Sequence, residues 1–272
     1  MEINMEHKKI TGYVKTYSRE ARDRIIGVVE RFLQNAGVED ISTGLFSCVD
    51  ELIKNAVKAN YKFLLIYENL FKNFLEQYPD KSSSDIKNEI FGIVKEQASY
   101  DFMANGILEE HEISKLVREI LSEEAHYLKI KNKAYAENRE FTKEEQDRVN
   151  SFSRINNIRK KLKEHDIQVV IKVQDDADYL YIEVTNTAPI LTADLERIYN
   201  KRDEYKKYRD QGKEHEFFIN NLDTSESGFG LGYATIDSFL ANWGLNTDKS
   251  LRIISSIDTT VMLSLPIDEI QY

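Results

Sequence analysis

The chain has 272 residues, of which 41% are hydrophobic and 31% are charged, and its formal net charge is −10. These values are ordinary for a globular protein with a hydrophobic core, and the acidic balance argues against a nucleic-acid partner, which would favour a basic excess. The sequence has no stretch of about 18 apolar residues, so no transmembrane segment is expected. The first residues lack the apolar centre of a secretion signal, and the single cysteine cannot form an internal disulfide, so a cytoplasmic protein is expected.

The N-terminal part of the chain predicts one strand and two helices. Residues 8–16 favour an edge strand, and residues 18–35 carry apolar side chains at helical spacing. Residues 42–60 predict a second helix, with Ser42 or Thr43 as its N-cap. The apolar stripe of that helix is formed by Leu45, Val49, Leu52, Ile53, Ala56 and Val57.

The middle of the chain, residues 61–165, is predicted to be almost wholly helical. Thr142 and Glu145 have the spacing of a capping box, which predicts a helix start there. Within this middle part, the aromatic positions of the block from about 67 to 165 exceed what a small domain needs for its core. We expect this block to mediate self-association as a homodimer or the binding of a protein partner. These positions include Phe71, Phe74 and Phe91.

The last third of the chain predicts strands again. Residues 167–173 and 179–185 alternate in polarity and are joined by a turn-forming DDAD segment. A charged, partly helical segment and a short helix follow, at 191–211 and 230–241. A final strand pair is predicted at 251–257 and 259–266.

The order of these elements predicts the fold class. Strands without intervening crossovers pair antiparallel, so the fold is expected to be α+β, a two-layer sandwich of a mixed, mainly antiparallel sheet with helices on one face.

Three motifs carry residues suited to chemistry. In the second helix, Glu51, Asn55 and Lys58 share one side, since they are four and three residues apart. A carboxylate, an amide oxygen and an ammonium on one spot suit a metal-bound polyphosphate. Taken alone, the pattern is more typical of a solvated helix face.

The second and third motifs are a glycine cluster and a strand end. The sequence SGFGLGYATI, residues 227–236, places glycines at alternate positions before a helix, where backbone N–H groups can face an anion. The sequence EVTNTAPI, residues 183–190, puts Asn186 at a strand end, where its side chain can bond a base. The simpler interpretations are a flexible turn and a turn closed by Asn and Pro.

Together the motifs resemble the histidine-kinase-like ATPases, the superfamily of sensor histidine kinases, anti-sigma-factor serine kinases, gyrase B and MutL. DELIKNAVKA, residues 50–59, resembles the N box of that family. The resemblance implies that Glu51 is a base or positions water, that Asn55 is the Mg²⁺ ligand and that Lys58 contacts a phosphate. The layout is most similar to the anti-sigma serine kinases.

The other boxes complete the resemblance. SGFGLGYATI resembles the second glycine box, which implies that Gly228, Gly230, Leu231 and Gly232 surround the phosphates of ATP. IDTTVMLSLP resembles the closing strand, which implies that Thr259 lies near the adenine. The implied division of the chain is a Bergerat-type ATP-binding domain at 1–66 and 167–272 with a helical insertion at 67–166.

The first glycine box departs from the family pattern. Asn186 stands where the family has an Asp that accepts a bond from the adenine amino group, and Ala188 and Pro189 stand in the glycine region. An amide oxygen can accept the same bond, although charged acceptors bond about twice as strongly.

These features lead to an expected function and a rival. The resemblance implies an ATP-binding signalling protein, a Mg-ATP-dependent serine or histidine protein kinase in which the segment 191–227 is a lid over the phosphates. The rival is a non-catalytic regulator with a degenerate nucleotide site that acts through protein contacts. A mechanical ATPase ranks last, because the chain is short for the transducer domain of such enzymes.

Overall fold

The structure is a computed structural model that describes residues 9–15, 17–176, 178–221 and 231–270. It is an α+β fold with one five-stranded sheet. The strands are β1 (Lys9–Val14), β2 (Val169–Asp175), β3 (Tyr179–Asn186), β4 (Leu251–Ser255) and β5 (Thr259–Pro266). The helices are α1 (Arg19–Ala36), α2 (Ser42–Gln77), α3 (Ser83–Lys95), α4 (Gln97–Glu110), α5 (Ile113–Ala136), α6 (Lys143–Ser151), α7 (Ser153–Glu164), α8 (Thr192–Asp210), α9 (Glu214–Asn221), α10 (Leu231–Asn242) and α11 (Thr247–Ser250).

The strands lie in the order β1-β2-β3-β5-β4, and each pair of neighbours is antiparallel. The prediction of a mixed sheet is therefore wrong for the described strands, which are all antiparallel to their neighbours. The reason is the position of β5. The helical connection from β3 leads to β4 at the edge, and β5 then turns back between the two, so the crossover creates no adjacent parallel pair.

The sheet has one buried face, as the alternation in the sequence predicts. The inward side chains of the central strands are buried and pack with α1, α2, α7 and α10 in the main core. The opposite face carries polar pairs such as Lys172 with Glu183 and Thr185 with Thr260. The buried set includes Val169, Ile171, Val173, Leu180, Ile182, Val184, Val261, Leu263 and Leu265.

Helix α2 is a single helix of 36 residues rather than a helix that ends near residue 60. The predicted N-cap at Ser42 or Thr43 is wrong, because a 3₁₀ turn at Glu39–Ile41 runs directly into the helix. Ile41 takes the cap position with helical backbone angles and no side-chain cap bond. The first half of α2 packs under the sheet, and its second half continues into the helical block.

The helical block has a core of its own and also joins the main core. One cluster of buried residues unites the end of α2 with α3, α4 and the start of α5. Ile120, Ile155, Ile158 and Leu162, from α5 and α7, belong instead to the main core beside the sheet. Residues 67–166 therefore support the sheet as well as one another.

Local signals at helix ends agree with the sequence. Ser18 caps α1, and the Thr142–Glu145 capping box at α6 is confirmed. The helical part of the 191–211 prediction is confirmed by α8. Among the described residues, none of the helices is both long and apolar enough to cross a membrane.

Candidate functional site

Glu51 and Asn55 lie one turn apart on α2 and are hydrogen-bonded to each other. The Asn55 Nδ2 atom donates to Glu51 Oε1 at 3.0 Å. The neighbouring positions Leu52, Ile53 and Ala56 are buried, which fixes the orientation of the helix. Since the amide nitrogen faces Glu51, Asn55 Oδ1 is the end that can bind a ligand.

The start of α10 approaches the same pair. A Cβ atom built on Gly232 would lie 1.9 Å from Glu51 Oε1 and 2.7 Å from its Cγ. With Glu51 in this position only glycine leaves enough room, so the two motifs that the sequence separates by about 180 residues meet at Glu51 and Gly232. Gly228 and Gly230 lie outside the described residues. Leu231 packs with a small cluster around Tyr205 on α8.

Asn55, Asn186 and Thr259 line one cavity between α2, the ends of β3 and β5, and the start of α8. The space that water-sized spheres can fill is about 50 Å³. Sites for drug-sized ligands have roughly 300–1,000 Å³. The described walls of the cavity therefore enclose less space than such sites have. Its other walls include Leu52, Ala56, Lys62, Tyr100, Pro189, Ile190, Asp194 and Tyr233.

At the strand ends, Asn186 and Thr259 are register partners on β3 and β5. Both donate to the carbonyl oxygen of Ala188, at 2.9 Å from Asn186 Nδ2 and 2.8 Å from Thr259 Oγ1. Ala188 is itself buried, so the segment after β3 folds back onto the strand ends. The bond to Ala188 orients the amide so that Asn186 Oδ1 is its acceptor end.

Helix α4 of the helical block bonds the segment from Ile190 to Thr192, which contributes one wall of the cavity. Gln97 Nε2 donates to the Ile190 carbonyl at 3.0 Å. Asp101 accepts from the Thr192 backbone N–H at 3.1 Å and from Thr192 Oγ1 at 2.6 Å, at the first residue of α8. Helix α8 has no side-chain cap from its own N-cap residue, Leu191, so Asp101 supplies the anionic cap from another helix. Sequence reasoning missed this link, because 91 residues separate the partners.

The other end of the cavity is charged. The Asp194 carboxylate on α8 forms ion pairs with Lys62 and Arg197. Lys62 Nζ and Arg197 Nη2 each lie 2.5 Å from one of its oxygens. Lys58 lies nearby, and its pKa is lowered by burial, by Arg197 and by Lys62, against the opposing effect of Asp194 and Glu51. The lysine that lines the cavity is Lys62 rather than the predicted Lys58. Extending the helical period by one turn from Lys58 would have found it.

The described residues contain no group of three or more His, Cys, Asp or Glu side chains that could hold a metal ion. The donors at the site are Asn55 Oδ1 and the Glu51 carboxylate. Mg²⁺ is commonly bound by one or two protein oxygens together with waters and phosphates of the ligand. This donor set fits a Mg²⁺ that arrives with a polyphosphate and does not fit a permanent metal centre.

Comparison with known proteins assigns no relative to this arrangement: no family model, no curated protein and no solved structure matches the chain.

Proposed function

We propose that the chain binds Mg-ATP in this cavity and acts as a signalling protein of the histidine-kinase-like class, with a Bergerat-type fold. One observation supports the proposal most strongly. Asn55, Asn186 and Thr259 come from three distant stretches of sequence, and the residues that the resemblance assigns to metal and adenine line a single cavity.

The strand ends would receive the adenine. Asn186 Oδ1 would accept a bond from the exocyclic amino group, and the Thr259 hydroxyl lies beside it on the neighbouring strand. The bonds to the Ala188 carbonyl use the Asn186 amide nitrogen and the Thr259 hydroxyl proton, so Asn186 Oδ1 keeps its capacity to accept a bond from the base.

The part of the cavity beside Glu51 and Asn55 of α2 would bind the phosphates. Asn55 Oδ1 would be the protein's ligand to Mg²⁺, which neutralises phosphate charge when bound. Glu51 is held by Asn55 and packed against Gly232, so its carboxylate is fixed beside the start of α10. In a kinase reaction, Glu51 would accept the proton of the attacking hydroxyl.

A second function is favoured by the size of the cavity. Among the described residues, the cavity has about 50 Å³ of enclosed space, which is small for a nucleotide. A non-catalytic regulator, which binds nucleotide weakly or not at all and acts through the helical block, has no need of an open cavity.

Calorimetry with Mg-ATP and Mg-GTP on the full chain tests the proposal, followed by transfer of labelled γ-phosphate to protein. Asn55→Ala is expected to abolish ATP binding in a folded protein. Asn69→Ala is the matched control, because Asn69 lies on the same helix and, among the described residues, its side chain bonds the Leu65 carbonyl alone. Transfer that requires Asn55 supports the kinase, and binding without transfer or hydrolysis supports the regulator. Absence of ATP binding by the unmodified protein overturns nucleotide binding.

A further inference from the structure

A second cavity lies between the helical block and one end of the sheet. Its volume is about 480 Å³, within the roughly 300–1,000 Å³ of sites for small ligands, whereas the first cavity has about 50 Å³. Helices α2 and α3 line it on one side, and the turns before β2, after β3 and between β4 and β5 line it on the other. Among the described residues, Phe63 is the only one that lines both cavities.

Three aromatic side chains line this second cavity. Phe63 and Tyr67 lie one turn apart on α2, with ring centroids 6.2 Å apart, and Phe91 lies on α3. The Phe91 side chain is 52% exposed, which leaves a large apolar ring in contact with water at the cavity. Since aromatic rings pack favourably against one another, this lining favours a ligand that contains an aromatic ring.

The wall formed by Tyr67 and His165 is held in place by contacts within the chain. Glu68, next to Tyr67 on α2, bonds His165 Nε2 at 3.0 Å and also pairs with Lys161 of α7. The His165 ring contacts the edge of the Tyr67 ring, with centroids 4.9 Å apart. Glu68 therefore ties α2 to the end of α7 and fixes one side of the cavity.

The acidic side chains of the cavity already have partners. Asp166 pairs with Lys15 at 3.7 Å, and Asp258 Oδ1 accepts a bond from Ser256 Oγ at 3.0 Å. The Asp166 side chain is 82% exposed, so water screens its charge. These carboxylates therefore give the cavity little preference for a cation.

The donor side chains of the cavity have no such partners. Lys87 and Asn88 are consecutive on α3, about one turn before Phe91. Across the part of the chain that the structure describes, neither side chain forms a hydrogen bond or an ion pair. An ammonium group carries three donors and no acceptor, and an amide nitrogen carries two more donors. The unused polar capacity beside the Phe91 ring therefore suits an acceptor, and a charged acceptor best.

We infer that the second cavity binds a small aromatic carboxylate. The ring of the ligand packs among Phe63, Tyr67 and Phe91, and its carboxylate accepts bonds from Lys87 and Asn88. The charge-assisted bond from Lys87 makes the site prefer an anion. The inference goes beyond the proposed function and does not depend on it, because the residues assigned to ATP line the other cavity.

Two other interpretations compete with this inference. A hydrated groove beside a solvated helix face is the simplest, because exposed Lys and Asn side chains and single exposed aromatic residues are common on protein surfaces. A site for an organic amine is the other, because aromatic rings together with Asp166 and Asp258 could bind a cation.

The test is an NMR titration of the full chain with 3-phenylpropanoate, in parallel with 3-phenylpropylamine, which lacks the carboxylate, and butanoate, which lacks the ring. We expect 3-phenylpropanoate to bind about tenfold more tightly than either. Lys87→Met should weaken its binding about tenfold, and Phe91→Ala about fivefold. The controls are Lys72→Met and Phe102→Ala, which should change nothing, since these side chains lie outside the cavity and are 71% and 79% exposed.

The outcomes separate the three interpretations. Weaker binding by Lys87→Met and Phe91→Ala, with both controls unchanged, supports the carboxylate site. Binding of the amine that equals or exceeds that of the carboxylate overturns it in favour of a cation site. Equal effects of the Lys87 and Lys72 changes, or an absence of 3-phenylpropanoate binding to the unmodified chain, overturns it in favour of a hydrated groove. All four replaced side chains are exposed, so the variants should stay folded, which thermal unfolding checks.

Discussion

The contact between Gly232 and Glu51 leads to a prediction whose sign reverses with the background. In Gly232→Ala, the new methyl group would lie 1.9 Å from Glu51 Oε1 and 2.6 Å from its Cδ. Glu51 has to move aside, and its bond with Asn55 is lost. The substitution is therefore expected to disturb α2, α10 and the site at once.

The magnitude follows from three contributions. Overpacking costs about 1–3 kcal/mol and the lost hydrogen bond about 1 kcal/mol. The better helix propensity of alanine offsets up to about 1 kcal/mol. Gly232→Ala should thus lower the free energy of unfolding by about 1–3 kcal/mol. In the Glu51→Ala background the clash is absent, and the same change should raise it by about 0.5–1 kcal/mol.

Urea unfolding of the four proteins of this double-mutant cycle measures the coupling. Gly106→Ala, in α4, is the matched control, since a Cβ there meets nothing within 4 Å. It should stabilise the protein by about 0.5–1 kcal/mol in either background. If Gly232→Ala has the same effect with Glu51 as without it, the close approach of the two motifs is wrong.

Three further predictions concern the Asp101 cap of α8, Asn186 at the end of β3 and the buried Glu124. Asp101→Asn should lower stability by about 1 kcal/mol and speed amide hydrogen exchange at the start of α8, because the cap loses its charge. Unchanged exchange there would contradict the capping of α8 by Asp101. Asn186→Asp should lower the unfolding free energy by about 1–3 kcal/mol, since a buried carboxylate would face the Ala188 carbonyl. It should also tighten ATP about fivefold without helping GTP, and weaker ATP binding would contradict the adenine role. Burial raises the pKa of Glu124, so ionisation costs stability as pH rises above its ordinary value of 4.5. Glu124→Gln should then be more stable than the unmodified protein at pH 7 in thermal unfolding, with the difference shrinking toward pH 4; a difference independent of pH would refute this.

Periodicity and cap chemistry made most of the secondary structure predictable. The strands follow from alternation and the helices from apolar spacing, and Thr142 with Glu145 marks the start of α6 by local side-chain bonds. These signals lie within a few residues of the element that they specify. The start of α2 escaped prediction because a 3₁₀ turn, rather than a side-chain cap, leads into it.

The site was predictable only where its residues fall in compact motifs. Asn55, Asn186 and Thr259 could be nominated from three short stretches, and they line one cavity. Asp101 and Asp194 could not, because their partners, Thr192 on the one hand and Lys62 on the other, are 91 and 132 residues away. Such contacts depend on how α4 and α8 pack, which local sequence does not determine.

Photoaffinity labelling with an azidoadenine analogue of ATP tests the central claim most directly, since it reports where the base lies. The account predicts labelling that ATP competes away, on the segment at 186–191 or the start of β5, and that Asn55→Ala abolishes while Asn69→Ala retains it. Competed labelling at a position remote from the cavity, or an absence of labelling that ATP displaces, would contradict the claim that this cavity binds nucleotide.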